Sequence, residues 1–473
     1  MPTRPKQTEF LILGAGPTGL GAACRLQEKG RDWHLLEASS IFGGLASSWV
    51  DAQGFTWDIG GHVQFSHYDT FDRYMDRGLG TYGWLTHQRE SWVWVRNRFV
   101  PYPFQNNLHR LEPAERWRCA QGLWEAARRQ ADAGTEAGVP LHFGEWIAAT
   151  FGDGIADIFM LPYNRKVWAY PPEELDYAWV GERVAVPDFG RILRSLCMQK
   201  DDVSWGPNAV FRFPCHGGTG AVWTAIGRSL DARRVSLESE VVSVNVAERS
   251  VTTRSGKSLR YRFLISTIPL NRLIQLAPGV VDPRVADQLR FSSTTVIGIG
   301  LSGMTPEHLK TKCWMYFPEP NSPYYRVTVF SNYSPNNVPQ PGHQWSLMAE
   351  VARPQGQVVD TAHIERETLR ALREDALLDD RSAVVSVASR HVPQGYPTPF
   401  RGRDAVVDPA LRAFEQVSVF SRGRLGAWKY EVSNQDHSFA QGYECVERCL
   451  KNGGPECEPT LFTPQSVNNR RNP

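Results

Sequence analysis

Long hydrophobic runs are missing from this sequence. None of its 473 residues belongs to a stretch of about 18 apolar residues, the length that a membrane-spanning helix needs. The first apolar run, residues 10–13, is too short for the core of a secretory signal. We therefore predict a cytoplasmic protein without a membrane partner.

An excess of one charge sign is missing as well. The chain has 52 Lys and Arg residues against 50 Asp and Glu residues, which leaves a net charge of +2. Such a balance gives no broad basic field and predicts no nucleic-acid partner. A few clustered arginines can still hold an anionic substrate without changing the total charge.

Cysteine pairs of the Cys-X-X-Cys type are also absent among the eight cysteines. Cys445 and Cys449 lie one helical turn apart, but no further ligands follow them at the spacing of a metal site. The pattern predicts reduced structural thiols and no metal centre.

The length of the chain and its local patterns predict roughly two or three domains. Residues 110–200 are rich in Ala, Arg, Glu, Leu and Trp, and helical spacing from Trp117 to Ala127 predicts a mostly helical insertion. A final helix is expected within residues 421–450, and residues 460–473 are polar. Apolar runs and alternating patterns predict strands at residues 33–36, 241–246, 263–267, 294–301, 324–330 and 345–351.

A glycine fingerprint follows the first predicted strand. The sequence Gly14-Ala-Gly16-Pro-Thr-Gly19 lies between the strand at 10–13 and a helical pattern that ends near Gly30. Gly14 permits a tight turn, Gly16 lets the backbone approach a diphosphate, and Gly19 lets helix and strand pack closely. Glu37 ends the second strand at the distance where a carboxylate accepts hydrogen bonds from a ribose. This order predicts a doubly wound, dinucleotide-binding domain.

A second glycine pair favours FAD over NAD as the dinucleotide. Gly43 and Gly44 follow soon after Glu37. The longer diphosphate and ribityl chain of FAD needs more positions of close backbone approach, which glycine allows.

Residues 8–68 resemble the N-terminal FAD-binding segment of the UDP-galactopyranose mutase family, in its fungal form. The resemblance continues in order along nearly the whole chain. Further matching blocks are residues 100–107, 162–168, 179–183, 205–214, Gly217-Gly-Thr-Gly220, residues 324–333, 395–399, Trp428-Lys-Tyr-Glu-Val432 and Asn434-Gln-Asp-His-Ser-Phe439.

The resemblance implies an α/β fold with three parts. A Rossmann-like FAD domain would comprise residues 1–86, 217–278 and 405–460. A helical substrate-cleft domain would comprise residues 110–204, and an antiparallel sheet domain residues 87–109, 205–216 and 279–404, with a tail at 461–473. The active site would lie in the cleft where these parts meet.

The resemblance also implies an isomerase that interconverts the pyranose and furanose forms of a nucleotide-hexose, with UDP-galactose as the expected substrate. In the family, reduced flavin N5 attacks the anomeric carbon and displaces the diphosphate, the sugar recloses through O4, and no net redox change results. The implied cofactor is FAD in its reduced state, with NAD(P)H as a candidate reductant. A homo-oligomer is a candidate assembly.

Residues that match the family's sites fall into three groups. Arginines grip phosphate oxygens, and tyrosine hydroxyls stabilise the charge that develops on the leaving diphosphate. The catalytic group is His62, Arg183 and Arg326. The substrate group is Phe65, Arg89, Tyr102, Phe104, Gln105, Asn164, Trp168, Asn208, Tyr316, Tyr333, Tyr396, Tyr430 and Asn434. The cofactor group is Gly14, Gly16, Thr18, Gly19, Glu37, Gly43, Gly44, Leu45, Gly61, His62, Val242, Arg424, Asn434, Gln435 and Ser438.

Two alternatives remain open from the sequence. Near the expected base pocket, four residues depart from the fungal pattern, so the same reaction on a GDP-hexose is one alternative. These residues are Gln64, Leu161, Arg165 and His216. The other is an FAD oxidoreductase resembling amine oxidases or carotenoid desaturases, which has little need for a diphosphate clamp. A non-catalytic flavoprotein scaffold would lack the clamp or His62, and both are present.

Overall fold

Two seven-stranded sheets organise the chain. The structure is a computed structural model that describes residues 6–80, 83–133, 139–181, 184, 186–203, 209–379 and 382–468. Its strands are β1 (Lys6–Leu13), β2 (Trp33–Leu36), β3 (Ser48–Val50), β4 (Thr56–Asp58), β5 (Trp84–Gln88), β6 (Ser91–Val95), β7 (Arg98–Pro101), β8 (Val210–Pro214), β9 (Val235–Ser236), β10 (Val241–Asn245), β11 (Ser250–Thr253), β12 (Ser258–Ser266), β13 (Phe291–Ser302), β14 (Trp314–Tyr316), β15 (Arg326–Val329), β16 (Gln344–Pro354), β17 (Ala383–Pro397) and β18 (Val419–Ser421).

The helices lie between and around these strands. A π-helical turn at Ala156–Met160 joins the fourth and fifth of them. They are α1 (Pro17–Glu28), α2 (Asp69–Leu79), α3 (Pro113–Ala133), α4 (Phe143–Ile155), α5 (Leu161–Trp168), α6 (Phe189–Met198), α7 (Gly220–Arg228), α8 (Leu270–Leu276), α9 (Arg284–Gln288), α10 (Thr361–Glu374), α11 (Arg403–Gln416), α12 (Gln435–Lys451), α13 (Pro459–Phe462) and α14 (Gln465–Asn468). None in the described part of the chain has both the length and the apolar character that a membrane crossing requires.

The first sheet is the doubly wound one that the fingerprint predicts. Its order is β10-β11-β12-β1-β2-β9, with β18 also paired to β12. Strands β18, β12, β1, β2 and β9 are parallel to one another. Phe10, Leu11 and Ile12 are fully buried, as expected for a strand covered on both faces. The carboxyl ends of the parallel strands therefore meet at one edge, where such sheets bind ligands.

The second sheet has the order β17-β13-β16-β15-β14-β6-β7. Its pairs are antiparallel except for β14 with β6, which is parallel. The first sheet is built from residues 6–36, 235–266 and 419–421, and the second from residues 91–101 and 291–397. These segments alternate along the chain in the order that the family resemblance implies, while the domain bounds themselves stay a prediction.

The helical insertion contains α3 to α6 and an aromatic core of its own. Helix α3 contains the residues whose spacing predicted it, and Leu123 is buried. Trp117 and Trp124 instead lie on the solvent side, 68% and 47% exposed. Periodicity thus identified the helix, while packing against α4 selected the smaller side chains for the buried face.

The polar C-terminal segment contains two short helices. Residues 459–468 form α13 and α14, and Leu461 and Val467 are buried. A fully buried ion pair between Arg422 and Glu458 fixes the chain just before this segment. Residues 469–473 lie outside the described part of the chain.

Helices α1 and α12 touch backbone to backbone. A Cβ placed on Gly21 would meet the Phe439 carbonyl oxygen at 2.2 Å, and one placed on Gly442 would meet the Thr18 carbonyl oxygen at 1.9 Å. Only glycine permits this contact, and it brings the N-terminal ends of both helices to the same side of the sheet.

We expect Gly442→Ala to lower the free energy of unfolding by about 1–3 kcal/mol, because the added methyl group must separate the two helices. Thermal unfolding of the purified protein measures the loss. Gly190→Ala is the matched control, since Gly190 is exposed in α6 and the nearest atom to an added Cβ is 3.5 Å away. Equal stability of the two variants would contradict the close contact.

Candidate active site

A cavity of about 680 Å³ lies at the carboxyl ends of β1, β2 and β12. Leu13, Leu36 and Thr267, at or just after these strand ends, line it. Residues from the α12 end of the chain complete the opposite wall. Ten of the predicted cofactor residues line this cavity: Gly14, Gly16, Thr18, Glu37, Gly44, Leu45, His62, Arg424, Gln435 and Ser438.

The glycine turn after β1 has the geometry that a dinucleotide requires. Gly14 has a φ of +101°, and a Cβ there would meet Thr267 Oγ1 at 2.1 Å. Helix α1 begins immediately afterwards with Pro17, so the free backbone N–H groups of its first turn point toward the cavity end. Such a helix end binds diphosphate oxygens. The cradle therefore fits the diphosphate of FAD.

Glu37 is held at the rim of this cavity by the backbone. Its carboxylate accepts the N–H of Ala15 at 2.6 Å and that of Ser39 at 2.8 Å. These bonds orient both carboxylate oxygens and connect the end of β2 to the glycine turn. A ribose beside the turn would meet a carboxylate that is already positioned.

Five predicted cofactor residues are not part of the cavity wall. Gly19 packs against β1, where an added Cβ would meet the Gly14 carbonyl oxygen at 1.8 Å, so its role is in packing. Gly43 has a φ of +107° and begins the turn that carries Gly44. Val241 lines the cavity in place of Val242, at a register shift between β10 and β11. The other two are Gly61 and Asn434.

A second, smaller cavity continues from the FAD cavity toward the second sheet. Leu45, His62, Val392 and Arg424 line both spaces. Arg326, Glu350 and Tyr396 complete the smaller one. The fold thus brings four residues predicted separately from the sequence, His62, Arg326, Tyr396 and Arg424, to the same end of the cofactor cavity.

Arg326 and Glu350 form a bidentate ion pair across β15 and β16. Arg326 Nε donates to Oε1 at 2.7 Å and Nη2 to Oε2 at 2.8 Å. Glu350, 1% exposed, also accepts the Tyr325 hydroxyl at 2.8 Å and the Gly61 N–H at 3.0 Å. Burial by itself would raise the pKa of Glu350, but the Arg326 charge and these donors outweigh it and lower the pKa below its ordinary value. The pair fixes the guanidinium with its remaining edge available.

His62 is neutral in this setting. Burial, and then the charge of Arg424, lower the pKa of His62 to about 3. Its Nδ1 is buried and has no hydrogen-bond partner within the described residues. A neutral imidazole with an unsatisfied ring nitrogen at the end of the FAD cavity suits a polar atom of the flavin ring.

An aromatic wall connects the cavity end to the helical insertion. Arg424 stacks on Tyr396 at 5.0 Å, Tyr396 lies 5.8 Å from Tyr430, and Tyr430 lies 4.8 Å from Trp168 between ring centroids. Burial raises the pKa of Tyr396, so its hydroxyl stays protonated and can donate. Tyr396, Tyr430 and Trp168, all predicted substrate residues, therefore pack against one another in a continuous row.

A second aromatic group lies beside it. Tyr102 and Tyr316 are 5.3 Å apart between ring centroids, and Trp314 Nε1 donates to the Tyr316 hydroxyl at 2.6 Å. Arg89 stacks on Trp314 at 4.8 Å. These contacts place the predicted Tyr102, Tyr316 and Arg89 in one cluster.

The residues predicted to bind the base differ from one another in burial and in contacts. Asn164 donates to the Met160 carbonyl oxygen at 2.8 Å, Gln105 is buried, and Phe65 packs edge-on against Phe211. Phe104 is fully buried against Phe159, so its ring has no free face for stacking in this conformation.

Three other predicted residues are either fully buried or outside the described part of the chain. Tyr333 is likewise fully buried, in a cluster with Phe211, Phe213 and Phe330. Arg183 and Asn208 lie outside the described residues.

The four departures from the fungal pattern do not form a base pocket. Gln64 donates to Gln435 Oε1 at 3.2 Å, on the FAD side of the molecule. Arg165 is 61% exposed beside Glu173, and His216 approaches the exposed side of Asn336. Leu161 packs against the helical core. The four residues therefore have separate partners and do not share one cluster.

Sequence reasoning missed Glu350, Trp314, Tyr163 and Thr267. A carboxylate inside the apolar run 345–351 was the available signal, because a charge in a buried strand requires a partner. Thr267 follows a buried parallel strand, which is where ligand-contacting residues are expected. Tyr163, 5.2 Å from Tyr316 between ring centroids, and Trp314 had no signal beyond their aromatic character.

A crystal structure of reduced UDP-galactopyranose mutase superposes with a TM-score of 0.92 and 45% sequence identity, covering 98% of this chain and 99% of the other. The chain belongs to the UDP-galactopyranose mutase family. The broader family described as flavin containing amine oxidoreductase matches residues 17–410. Family membership confirms the sequence-based prediction, and FAD is the cofactor that the family and the cavity both require.

Other relatives share less. Cyclohexylamine oxidase from Brevibacterium oxydans IH-35A has a TM-score of 0.65 at 16% identity, covering 94% of this chain and 99% of the other, which shows the shared fold alone. Zeta-carotene desaturase from Synechocystis sp. is 38% identical over 66 residues, and the chain matches 14% of the length of this curated relative.

We expect Glu37→Ala to weaken FAD binding by about tenfold to a hundredfold, because two charge-assisted hydrogen bonds that shape the glycine turn are lost. Titration of the apoprotein with FAD, followed by quenching of flavin fluorescence, measures the dissociation constant. Glu248→Ala is the control, since its side chain is 60% exposed on the same sheet. Unchanged affinity in Glu37→Ala would show that the carboxylate does not shape the site.

We expect Glu350→Gln to cost about 3–5 kcal/mol of stability near neutral pH, because the Arg326 charge loses its partner. The folded-state pKa of Glu350 lies below its unfolded value of about 4.3, so its contribution is present above that pH and disappears as the pH falls through the folded pKa. The difference in unfolding midpoint between wild type and variant should therefore shrink below about pH 4.

Thermal unfolding across this pH range checks the expectation, with Glu374→Gln as the control because Glu374 is 47% exposed beside Arg370. A difference that stays constant with pH would refute the assigned titration.

Proposed function

We propose that this protein is an FAD-dependent mutase that interconverts UDP-galactopyranose and UDP-galactofuranose. The observation that carries the proposal is the 45% identity, over nearly the full length of both chains, to a UDP-galactopyranose mutase that crystallised in its reduced state. The cluster of His62, Arg326, Tyr396 and Arg424 at the end of the FAD cavity supports it.

FAD would occupy the cavity at the ends of β1, β2 and β12. The turn at Gly14–Gly16 and the start of α1 would hold its diphosphate, Glu37 its ribose, and Gln435 and Ser438 at the start of α12 its ring system. When reduced, FAD supplies a nucleophilic ring nitrogen. NAD(P)H is the proposed source of the electrons.

The chain's own contribution is to bind and stabilise a diphosphate as it leaves the sugar. Arg326 presents a fixed guanidinium, and the hydroxyls of Tyr396 and Tyr430 add neutral donors beside it. Donors that are already oriented stabilise developing charge without reorganisation, at about 3 kcal/mol for each well-placed group. We assign Arg183 and Tyr316 to the same clamp from their family positions. Tyr333 stays a candidate for it, because its ring is fully buried but its hydroxyl has no hydrogen-bond partner within the described residues.

His62 and the aromatic wall would keep the sugar in place. The neutral imidazole can hydrogen-bond at the flavin end without adding a second cation beside Arg326 and Arg424. Trp168 and Tyr102 would form walls that exclude water, which would otherwise attack the anomeric carbon after the diphosphate has left. Asn208 and Asn434 are proposed to bind the sugar hydroxyls.

The proposed base is uracil. Phe65, Tyr102, Gln105, Asn164 and Trp168 would form its pocket. Gln64, Arg165 and His216 each contact a different partner, Gln435, Glu173 and Asn336, and the same reaction on a GDP-hexose stays the alternative. A cytoplasmic location accords with eight free cysteines, and we retain a homo-oligomer as the proposed assembly.

The experiment is an isomerisation assay on the FAD-loaded protein. UDP-galactofuranose is incubated with the enzyme, with and without dithionite, and the products are separated by chromatography. We expect UDP-galactopyranose from the reduced protein only. A GDP-hexofuranose in parallel tests the base. Net oxidation of the sugar with release of hydrogen peroxide would instead support the oxidoreductase alternative.

Matched arginine variants test the clamp in the same assay. Arg326→Lys keeps the charge but loses the planar fork, and we expect kcat/KM to fall by about a hundredfold. Arg353→Lys, which alters a half-buried arginine at the end of β16, should leave activity intact. If the two variants are equally active, Arg326 does not bind the diphosphate.

A further inference from the structure

Three titratable side chains meet at the start of α12. One of them, His67, belongs to the segment between β4 and α2, residues 59–68, which we call the His62 loop. His67 Nδ1 lies 2.7 Å from Asp436 Oδ2, and His437 Nδ1 lies 3.0 Å from Asp436 Oδ1. The backbone N–H of His67 donates to the same Oδ2 at 3.0 Å. Asp436 and His437 are almost fully buried, and the His67 side chain is 13% exposed. We call this cluster the His67–Asp436–His437 latch.

The latch joins the His62 loop to the first turn of α12. Residue Asp436 follows Gln435, which lines the FAD cavity. Gln435 Oε1 accepts Gln64 Nε2 at 3.2 Å and Trp223 Nε1 at 2.5 Å. Two successive residues of α12 therefore hold two residues of the loop, on the side of the loop that follows His62.

The other end of the loop is held by a different group. Gly61 N–H donates to Glu350, and the His62 N–H donates to the Gly60 carbonyl oxygen at 2.8 Å. The His62 ring itself has no hydrogen bond at Nδ1 within the described residues. Thr219 Oγ1 donates to the His62 carbonyl oxygen at 3.2 Å, so the position of the ring depends on how the backbone is held at His62 and on both sides of it.

The chemistry of the latch is that of a hydrogen-bonded carboxylate. Burial by itself would raise the pKa of Asp436, but His437 and then His67 hold it well below its ordinary range, so the group stays ionised and accepts all three donors. A metal centre is the other use of such side chains. Two ligands at about 2.0–2.1 Å from one zinc ion stand more than 3 Å apart, so the 2.7 Å contact of His67 with Asp436 is a hydrogen bond.

We propose that His67 and Asp436 are positioning residues whose latch holds the His62 loop against α12, and so sets His62 and Gln435 relative to the flavin ring. The effect on turnover rests on the proposed function. The effect on the bound flavin does not, because it concerns FAD alone.

The test compares His67→Leu, which removes the donor and keeps the bulk, with His67→Asn, whose amide places an N–H close to the position of Nδ1. In His67→Leu we expect a shifted FAD midpoint potential and faster FAD release. We also expect kcat to be lowered about tenfold to a hundredfold with KM little changed. His67→Asn should restore the potential and most of kcat. Wild-type potential and kcat in His67→Leu would overturn the proposal.

A double-mutant cycle tests whether the latch acts through His62. In a His62→Ala background, His67→Leu should lower kcat much less than it does alone, because the group it positions is already gone. Losses that multiply independently would show that the latch does not act through His62.

Tyr68→Phe is the matched control. It removes the adjacent hydrogen bond from Tyr68 to Thr460 Oγ1, at 2.8 Å, which fixes the same segment to α13 and not to the start of α12. The potential and kcat should stay as in wild type. If Tyr68→Phe shows the same changes as His67→Leu, the latch contributes only to general stability, and the proposal is overturned.

Two further outcomes are decisive. If His67→Leu does not fold, Asp436→Asn, which keeps the shape and loses the charge, is measured in the same way with the same expectations. If dialysis against a chelator abolishes activity and Zn²⁺ restores it, the cluster is a metal site and the latch proposal is overturned. A potential that shifts in His67→Leu and returns in His67→Asn supports the latch even if no sugar isomerises, so the two proposals fail separately.

Discussion

The site depends on one close contact, the backbone-to-backbone crossing of α1 and α12. Gly21 and Gly442 place no side chain against the backbone of the facing helix, so the two helices approach more closely than a Cβ at either position would allow. Residues at the start of α1 and at the start of α12, such as Thr18 and Gln435, then line the same cavity. Both helix starts carry the positive end of a helix dipole, which suits an electron-rich, anionic cofactor.

The second constraint is the buried pair of Arg326 and Glu350. It costs desolvation free energy, and as a contribution to stability alone a pair of apolar residues would do as well. Its value lies in position: it holds the guanidinium at the end of the FAD cavity and also anchors Gly61, the residue before His62. One carboxylate thus holds both Arg326 and the backbone that precedes His62, which connects the second sheet to the loop after β4 at the end of the FAD cavity.

The family relationship explains why similar proteins include both oxidases and a mutase. The FAD cavity belongs to the shared fold, which persists at 16% identity in cyclohexylamine oxidase. Fold alone therefore does not choose between electron transfer to a second substrate and isomerisation. That choice depends on what surrounds the flavin end, and here two arginines, several tyrosines and a neutral histidine surround it.

The sequence by itself determined the parts of this protein that obey local rules. Strand, glycine turn, helix and Glu37 follow one another within 30 residues, so their meaning could be predicted without the rest of the chain, and the ordered family blocks identified the arginines and tyrosines. Only the tertiary structure decided which of these side chains share a surface. Glu350 lies on the strand that follows Arg326 and also accepts the N–H of Gly61, 289 residues away. Phe104 and Tyr333 are buried in apolar clusters, and Gln64 donates to Gln435. Such contacts join residues that are distant along the chain, and packing decides them because each buried polar group must find its partner in three dimensions.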